Sequence, residues 1–286
     1  VQYLIAIDKY EERIADGDKL TGSEMIAYYD AKEAAGIELT IEEKGNRMML
    51  AYVEKMEALT ANSTELTVSV LEKTGWDGLP LENNKNSNVI DQMSSKELKA
   101  VGLPDQYGAC MFFSTIYGAA DALGVTLTPE EVKKIYDTAK KNGAVSNTND
   151  EGGYMPYWVN DFSDCVMAVA EVKKVDASNI LIADKLVKTT PSANKEVANE
   201  IIRALDSGGS AQVRYSGHSM RVDGAFIENG VIILSIKDTA SPNKKTYVDT
   251  SSMMLYTLKY NKSTKQYERV PSHKVITHYI PINKKE

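Results

Sequence analysis

Cys110, His218, Asp238 and Gln106 are the residues of this chain whose types and spacing could do covalent chemistry. Cys110 follows a turn segment, Asp105-Gln106-Tyr107-Gly108-Ala109, and opens an amphipathic run whose apolar face is Phe112, Ile116, Ala119, Ala120 and Leu123. Its sulfur is expected in the field of a helix N-terminus, which favours the thiolate, the nucleophilic form. A free cysteine at the head of an apolar helix is more often a small buried hydrophobe, so a nucleophile needs a base beside it. The chain has three histidines, and only His218 opens a strand beside glycine, in Gly217-His218-Ser219-Met220-Arg221-Val222-Asp223-Gly224. An accessible imidazole on a rigid element suits a general base.

The orienting carboxylate follows from strand pairing. Glu228-Asn229-Gly230 suits a three-residue hairpin loop with Gly230 in the left-handed position, so Ile227 is expected to pair with Val231. Counting outward, Met220 then faces Asp238, and His218 and Asp238 become diagonal neighbours on one face. A two-residue turn would put them on opposite faces. Asp223 is the rival, but its odd separation from His218 points it to the other side of the sheet. Gln106, four residues before Cys110, is a candidate to join the Cys110 backbone N–H as a second oxyanion donor; its plainer reading is a solvated loop residue.

The elements that must position these groups begin with helices. Thr21-Gly22-Ser23-Glu24 and Thr40-Ile41-Glu42-Glu43 have capping-box form, and the second opens a helix to about Leu59 with a stripe of Met48, Met49, Tyr52, Val53, Met56 and Leu59. Such a stripe is a core-facing surface before it is a recognition groove. Residues 76–93 are rich in Gly, Pro, Asn and Ser and read as a linker or long loop between a helical N-terminal region (1–75) and a main domain (94–286). A short helix is capped at Ser94, another starts at Thr128-Pro129-Glu130-Glu131 and closes at Asn142-Gly143, and the stretch from Ala144 to Pro156 reads as a polar loop. The segment Tyr157 to Val175 fits either helix or strand. After an amphipathic helix from Asn194 to Leu205, the period switches to alternation at Ala211–Tyr215, Ser219–Ile227 and Val231–Lys237, followed by Leu255–Tyr260, Tyr267–Val270 and Val275–Ile280. Helices first and antiparallel strands afterwards predict an α+β fold.

Composition narrows the classes of partner. With 43% hydrophobic and 26% charged residues in 286, the chain can bury a sizeable core. A net charge of -7 without a basic cluster argues against nucleic acid and anionic membrane as partners, and no apolar run is long enough to span a bilayer. Two cysteines are too few for a disulfide scaffold, and three histidines with two cysteines make no zinc constellation. The first residue is Val1 with no charged-then-apolar leader, a hint that a signal peptide or a fused segment has been removed; a secreted or envelope location is the expectation, with the cytoplasm as the alternative.

The order Gln106, Cys110 on a helix, His218 on a strand and Asp238 on the next strand resembles papain-like cysteine peptidases, and within them the bacterial double-glycine leader (bacteriocin-processing) peptidases. The stretch Gln106-Tyr107-Gly108-Ala109-Cys110-Met111-Phe112-Phe113-Ser114-Thr115 looks like their nucleophile segment, and Glu200 through Lys237-Asp238-Thr239 is similar to their run of helix, glycine turn, buried strand, His strand and Asp strand. The resemblance spans about residues 100 to 255. Gln106 stands closer to the cysteine than is usual in that family, and Met111 takes a place where many members have Gly. It implies a papain-like fold and acyl transfer on a protein or peptide substrate, with Cys110 as nucleophile, His218 as proton shuttle, Asp238 holding the imidazole and no cofactor. A glutamine deamidase or a transglutaminase would use the same groups, and a non-catalytic binding module on the same scaffold is the rival of another class.

Overall fold

The computed structural model describes residues 2–40, 43–47, 50–51, 78–80, 90–105, 107–183, 185–228, 230–241, 244, 246–263 and 266–285. Helices α1 (Gln2–Ala15) and α2 (Gly22–Ala34) form, with the helical residues 43–47 and 50–51, a small layer around Ile7, Tyr28, Tyr29, Ala31 and Leu39. Both capping boxes are made: the Thr21 side chain accepts from the Glu24 N–H, and the Thr40 hydroxyl accepts from the Glu43 N–H at 3.2 Å while the Glu43 carboxylate accepts from the Thr40 N–H at 2.9 Å. This layer packs on the main body so closely at Gly45 that a Cβ there would lie 2.5 Å from Asp164 Oδ1. The methionine stripe expected between Ile41 and Leu59 falls wholly outside the described residues, as does most of the expected linker.

The main body is mixed helix and antiparallel sheet. Its helices are α3 (Ser95–Ala100), α4 (Ala109–Ala122), α5 (Pro129–Lys141), α6 (Phe162–Lys173) and α7 (Asn194–Asp206). From Met111 to Ala122 every residue of α4 is buried, because α4 is the central helix: α5, α6 and a small hairpin cover one side and the large sheet covers the other. That sheet runs in the order β11-β10-β9-β8-β7-β6-β12-β4, comprising β4 (Ile180–Ile182), β6 (Ser210–Tyr215), β7 (His218–Glu228), β8 (Val231–Lys237), β9 (Thr246–Asp249), β10 (Met254–Asn261), β11 (Gln266–Val275) and β12 (His278–Lys284), with the short β5 (Val187–Lys188) also paired to β12. Among the described residues no helix is long and apolar enough to cross a membrane.

Four expectations are corrected. Residues 76–93 hold a strand, β1 (Gly78–Pro80), antiparallel to Gly224–Phe226 of β7. The reason lies in strand lengths: β6 pairs with β7 only over His218–Arg221, so the backbone groups of the next residues on that edge need another partner. The polar stretch from Ala144 to Pro156 contains β2 (Val145–Thr148) and the start of β3 (Tyr154–Val159), joined by a turn in which Asn149 Oδ1 accepts from the N–H groups of Glu151 (3.2 Å) and Gly153 (2.7 Å). The undecided segment after it divides into the end of β3 and then α6, capped by Asp161. The stretch expected as one strand from Val275 to Ile280 is split, with Ile276 and Thr277 crossing between β11 and β12.

The fourth correction concerns the hairpin of β7 and β8. Glu228 pairs with Val231, so two residues close the turn instead of three. That register alone would separate His218 from Asp238, but Asp223 is an extra residue between the Val222–Ile236 and Gly224–Ser235 pairs. The bulge restores the expected pairing from Val222 outward, with Arg221 opposite Lys237. Two departures from the expected ladder therefore cancel.

Candidate functional site

Helix α4 supplies Cys110 as its second residue. Gly108, with φ of 74° and ψ of 5°, caps the helix in a left-handed conformation that a side-chain-bearing residue rarely adopts, turning the chain sharply into the helix. The sulfur thus sits over the first helical turn, where backbone N–H groups are unsatisfied and the dipole is positive. His218 begins β7 directly after the tight turn of Ser216 and Gly217, the latter at φ 80°, and its ring meets Tyr215 edge-on with centroids 5.4 Å apart. Asp238 follows the last residue of β8.

The three groups converge. His218 Nε2 and Asp238 Oδ1 are 2.8 Å apart, with about 14% and 15% of their side chains exposed. Asp238 Oδ1 also accepts from the Ala240 N–H at 2.9 Å, which fixes the carboxylate against rotation. The His218 ring and the Ser219 backbone N–H both lie close enough to the Cys110 thiol to favour its ionised form, and with Nε2 taken by Asp238, Nδ1 is the nitrogen left for the sulfur. Gln106 lies outside the described residues.

Charge follows this geometry. Burial pushes the Cys110 thiol up, but the hydrogen bond and charge of His218, the Ser219 N–H and the Arg214 guanidinium outweigh it and hold the thiol below its ordinary value. Burial likewise pulls His218 down, and its bonds to Asp238 and Cys110 reverse this, raising the imidazolium to about 10. Both shifts favour the ion pair, a thiolate beside an imidazolium. Cys165 is driven the other way: it is fully buried and its thiol is pushed well above the ordinary value by that burial and by Asp161 and Asp164.

Several supports of this site carry no signal in the sequence pattern. The Thr239 hydroxyl donates to Gln92 Oε1 at 2.6 Å and the Gln92 N–H donates to the Thr239 carbonyl at 3.2 Å, so a residue of the expected linker braces the neighbour of Asp238. Arg221 and Asp121 form a buried ion pair at 2.8 Å that ties the His-bearing strand to the Cys-bearing helix. The Thr115 hydroxyl is 2.9 Å from Gln212 Oε1, linking α4 to β6. Asp121 and Arg221 look from sequence like an ordinary helix acid and a strand cation; only the fold makes them neighbours.

Comparison of the chain with protein-family models, with curated proteins and with solved structures finds no match.

Proposed function

We propose that the chain is a papain-like cysteine hydrolase that cleaves amide bonds of a protein or peptide through Cys110, His218 and Asp238. The observation that carries this reading is the 2.8 Å bond from His218 Nε2 to Asp238, on an imidazole that itself draws the Cys110 thiol toward ionisation. A nucleophile, a base and a group orienting the base, in mutual contact, form the arrangement that acyl transfer requires. The layered support agrees: a nucleophile at the head of a central helix packs against an antiparallel sheet that carries the base and the carboxylate.

In the reaction the Cys110 thiolate attacks the carbonyl carbon, and the carbonyl electrons move to oxygen. The backbone N–H of Cys110 is one donor for that oxyanion, with Gln106 as the proposed second. Collapse expels the amine, which takes a proton from His218 Nδ1 and leaves a thioester on Cys110. The neutral imidazole then removes a proton from water, hydroxide adds to the thioester, and the acid departs as the thiolate and imidazolium re-form. Asp238 keeps the ring oriented throughout and stabilises its charged state.

The test is a set of mixed peptides and a casein substrate incubated with the chain and with its Cys110→Ala variant, with products read by mass spectrometry. Cys110-dependent backbone cleavage is expected. Ammonia release with intact backbones would instead favour deamidation, and the absence of both, with alkylation of Cys110 as slow as that of Cys165, would favour a binding module.

A further inference from the structure

His218 and Asp238 also border a cleft of about 400 Å³ to which α4 contributes no described residue. Its walls include Tyr215, Met220, Lys244, Tyr256, Ser272 and Lys274. For a chain of net charge -7 its lining is unusual: two lysines and one carboxylate, that of Asp238, which already accepts from His218 and Ala240. Neither lysine makes an ion pair among the described residues.

Lys274 is held in place without a carboxylate. Its ammonium donates to the Tyr215 hydroxyl at 2.9 Å and lies 4.5 Å from the centre of that ring, which is itself the ring packed on His218. An ammonium has three donors, so one bond to Tyr215 leaves others for a ligand. The backbone beneath is shaped for this position. Strand β11 bulges where the pairing shifts from Tyr256–Pro271 to Met254–Val275, and within that bulge His273 stands at φ 57°, a left-handed conformation for a residue with a side chain. Bulges of this kind re-aim side chains beside functional sites.

Chemistry decides which part of a substrate this cleft meets. The imidazolium must hand its proton to the leaving amine, so the substrate residues that follow the scissile bond depart on the His218 side. We infer that the cleft is a carboxylate-binding subsite for the leaving side of the substrate, with Lys274 and Lys244 as its cations. It accepts an Asp or Glu side chain or the terminal carboxylate of a short leaving peptide. This builds on the hydrolase reading, but the subsite is tested without turnover.

The experiment uses the full chain carrying Cys110→Ala, immobilised, and three pools of N-acetylated octapeptides drawn from uncharged residues. One pool has a central Glu and an amidated end, one a central Gln and an amidated end, and one a central Gln and a free terminal carboxylate. Retention of the Glu pool about tenfold above the amidated Gln pool is expected, the scale of one charge-assisted contact, and 1 M salt should narrow it. Added Lys274→Gln or Lys244→Gln should bring the Glu pool toward the Gln pool. If the free-acid pool is the one retained, the same subsite reads the terminal carboxylate. Equal retention of all three pools, or a preference that survives both lysine substitutions, overturns the inference. Incubating the pools with the unsubstituted chain judges the hydrolase separately: retention without cleavage sinks the hydrolase and keeps the subsite, whereas cleavage without acid preference does the reverse.

Discussion

Two cysteines of this chain stand in the first turn of a helix, yet their thiols are driven in opposite directions. Cys110 is the second residue of α4 and Cys165 the fourth of α6. The helix dipole is common to both, so it is not what separates them. Around Cys110 the first turn carries no acidic residue, and an imidazolium, a backbone N–H and a guanidinium face the sulfur. Around Cys165 the cap is Asp161, Asp164 stands in the first turn, and no solvent reaches the residue. A helix N-terminus therefore offers a thiol only a weak push, and the cap and the cross-fold partner decide whether it becomes a nucleophile.

The contrast can be broken most severely at the nucleophile. Cys110→Ala should lower amide hydrolysis by about 10⁴-fold or more, measured as peptide turnover, while Cys165→Ala leaves turnover within a few-fold. His218→Ala should next erase the difference between the thiols. Burial then acts on Cys110 unopposed by the imidazolium, and its iodoacetamide rate at pH 7 should fall about a hundredfold, toward that of Cys165 in the folded chain.

The pH profile sharpens the comparison further. Turnover should rise as Cys110 ionises below the ordinary thiol range and fall as the imidazolium loses its proton near about 10. Asp238→Asn removes a charge that raises His218, so the falling limb should move to lower pH; a limb that stays in place would deny Asp238 its orienting role. The sign for stability is the same. His218 is raised above its unfolded value, so its contribution is full below about 6.5 and is lost as pH climbs through the folded value near 10.

A smaller effect is expected from the buried ion pair that joins the two halves. Asp121→Ala removes the carboxylate that neutralises the buried Arg221 guanidinium and should cost about 3–5 kcal/mol in urea unfolding, with the midpoint falling accordingly. Least affected should be the buried thiol, where Cys165→Ser exchanges a sulfur for a hydroxyl with no solvent access and should cost about 1–3 kcal/mol with Cys110 labelling unchanged.

What could be read in the sequence was what local chemistry dictates. Thr21, Thr40 and Thr128 announce helices because the cap and its acid lie within four residues, and the apolar run in Val231–Lys237 marks a strand that is buried at Ile233, Leu234 and Ile236. Strand β2 escaped because it is largely exposed and polar, and β1 because it exists to complete a stretch of β7 that β6 leaves bare. Cys110, His218 and Asp238 could be nominated from residue type, scarcity and strand position. Their supports could not: Gln92 and Thr239 are 147 residues apart, and nothing in either neighbourhood refers to the other. The hairpin shows a subtler limit: the expected turn is one residue too long and the expected ladder lacks the bulge, yet the two errors cancel where Arg221 stands opposite Lys237.

The bulge at Asp223 is one residue of slack stored in the hairpin. Arg221 stands opposite Lys237 because Glu228 pairs with Val231 and one residue of β7 is spent outside the ladder. Deleting Asp223 should therefore erase the bulge and leave Arg221 opposite Lys237, with His218 still in line with Asp238. A second residue lost from β7 between Arg221 and Glu228 would find no bulge left to absorb it, and the slip should turn His218 to the face opposite Asp238. In natural drift this strand should therefore tolerate the loss of one residue and not of two, so that the site is protected by its spare length as much as by the identity of its residues.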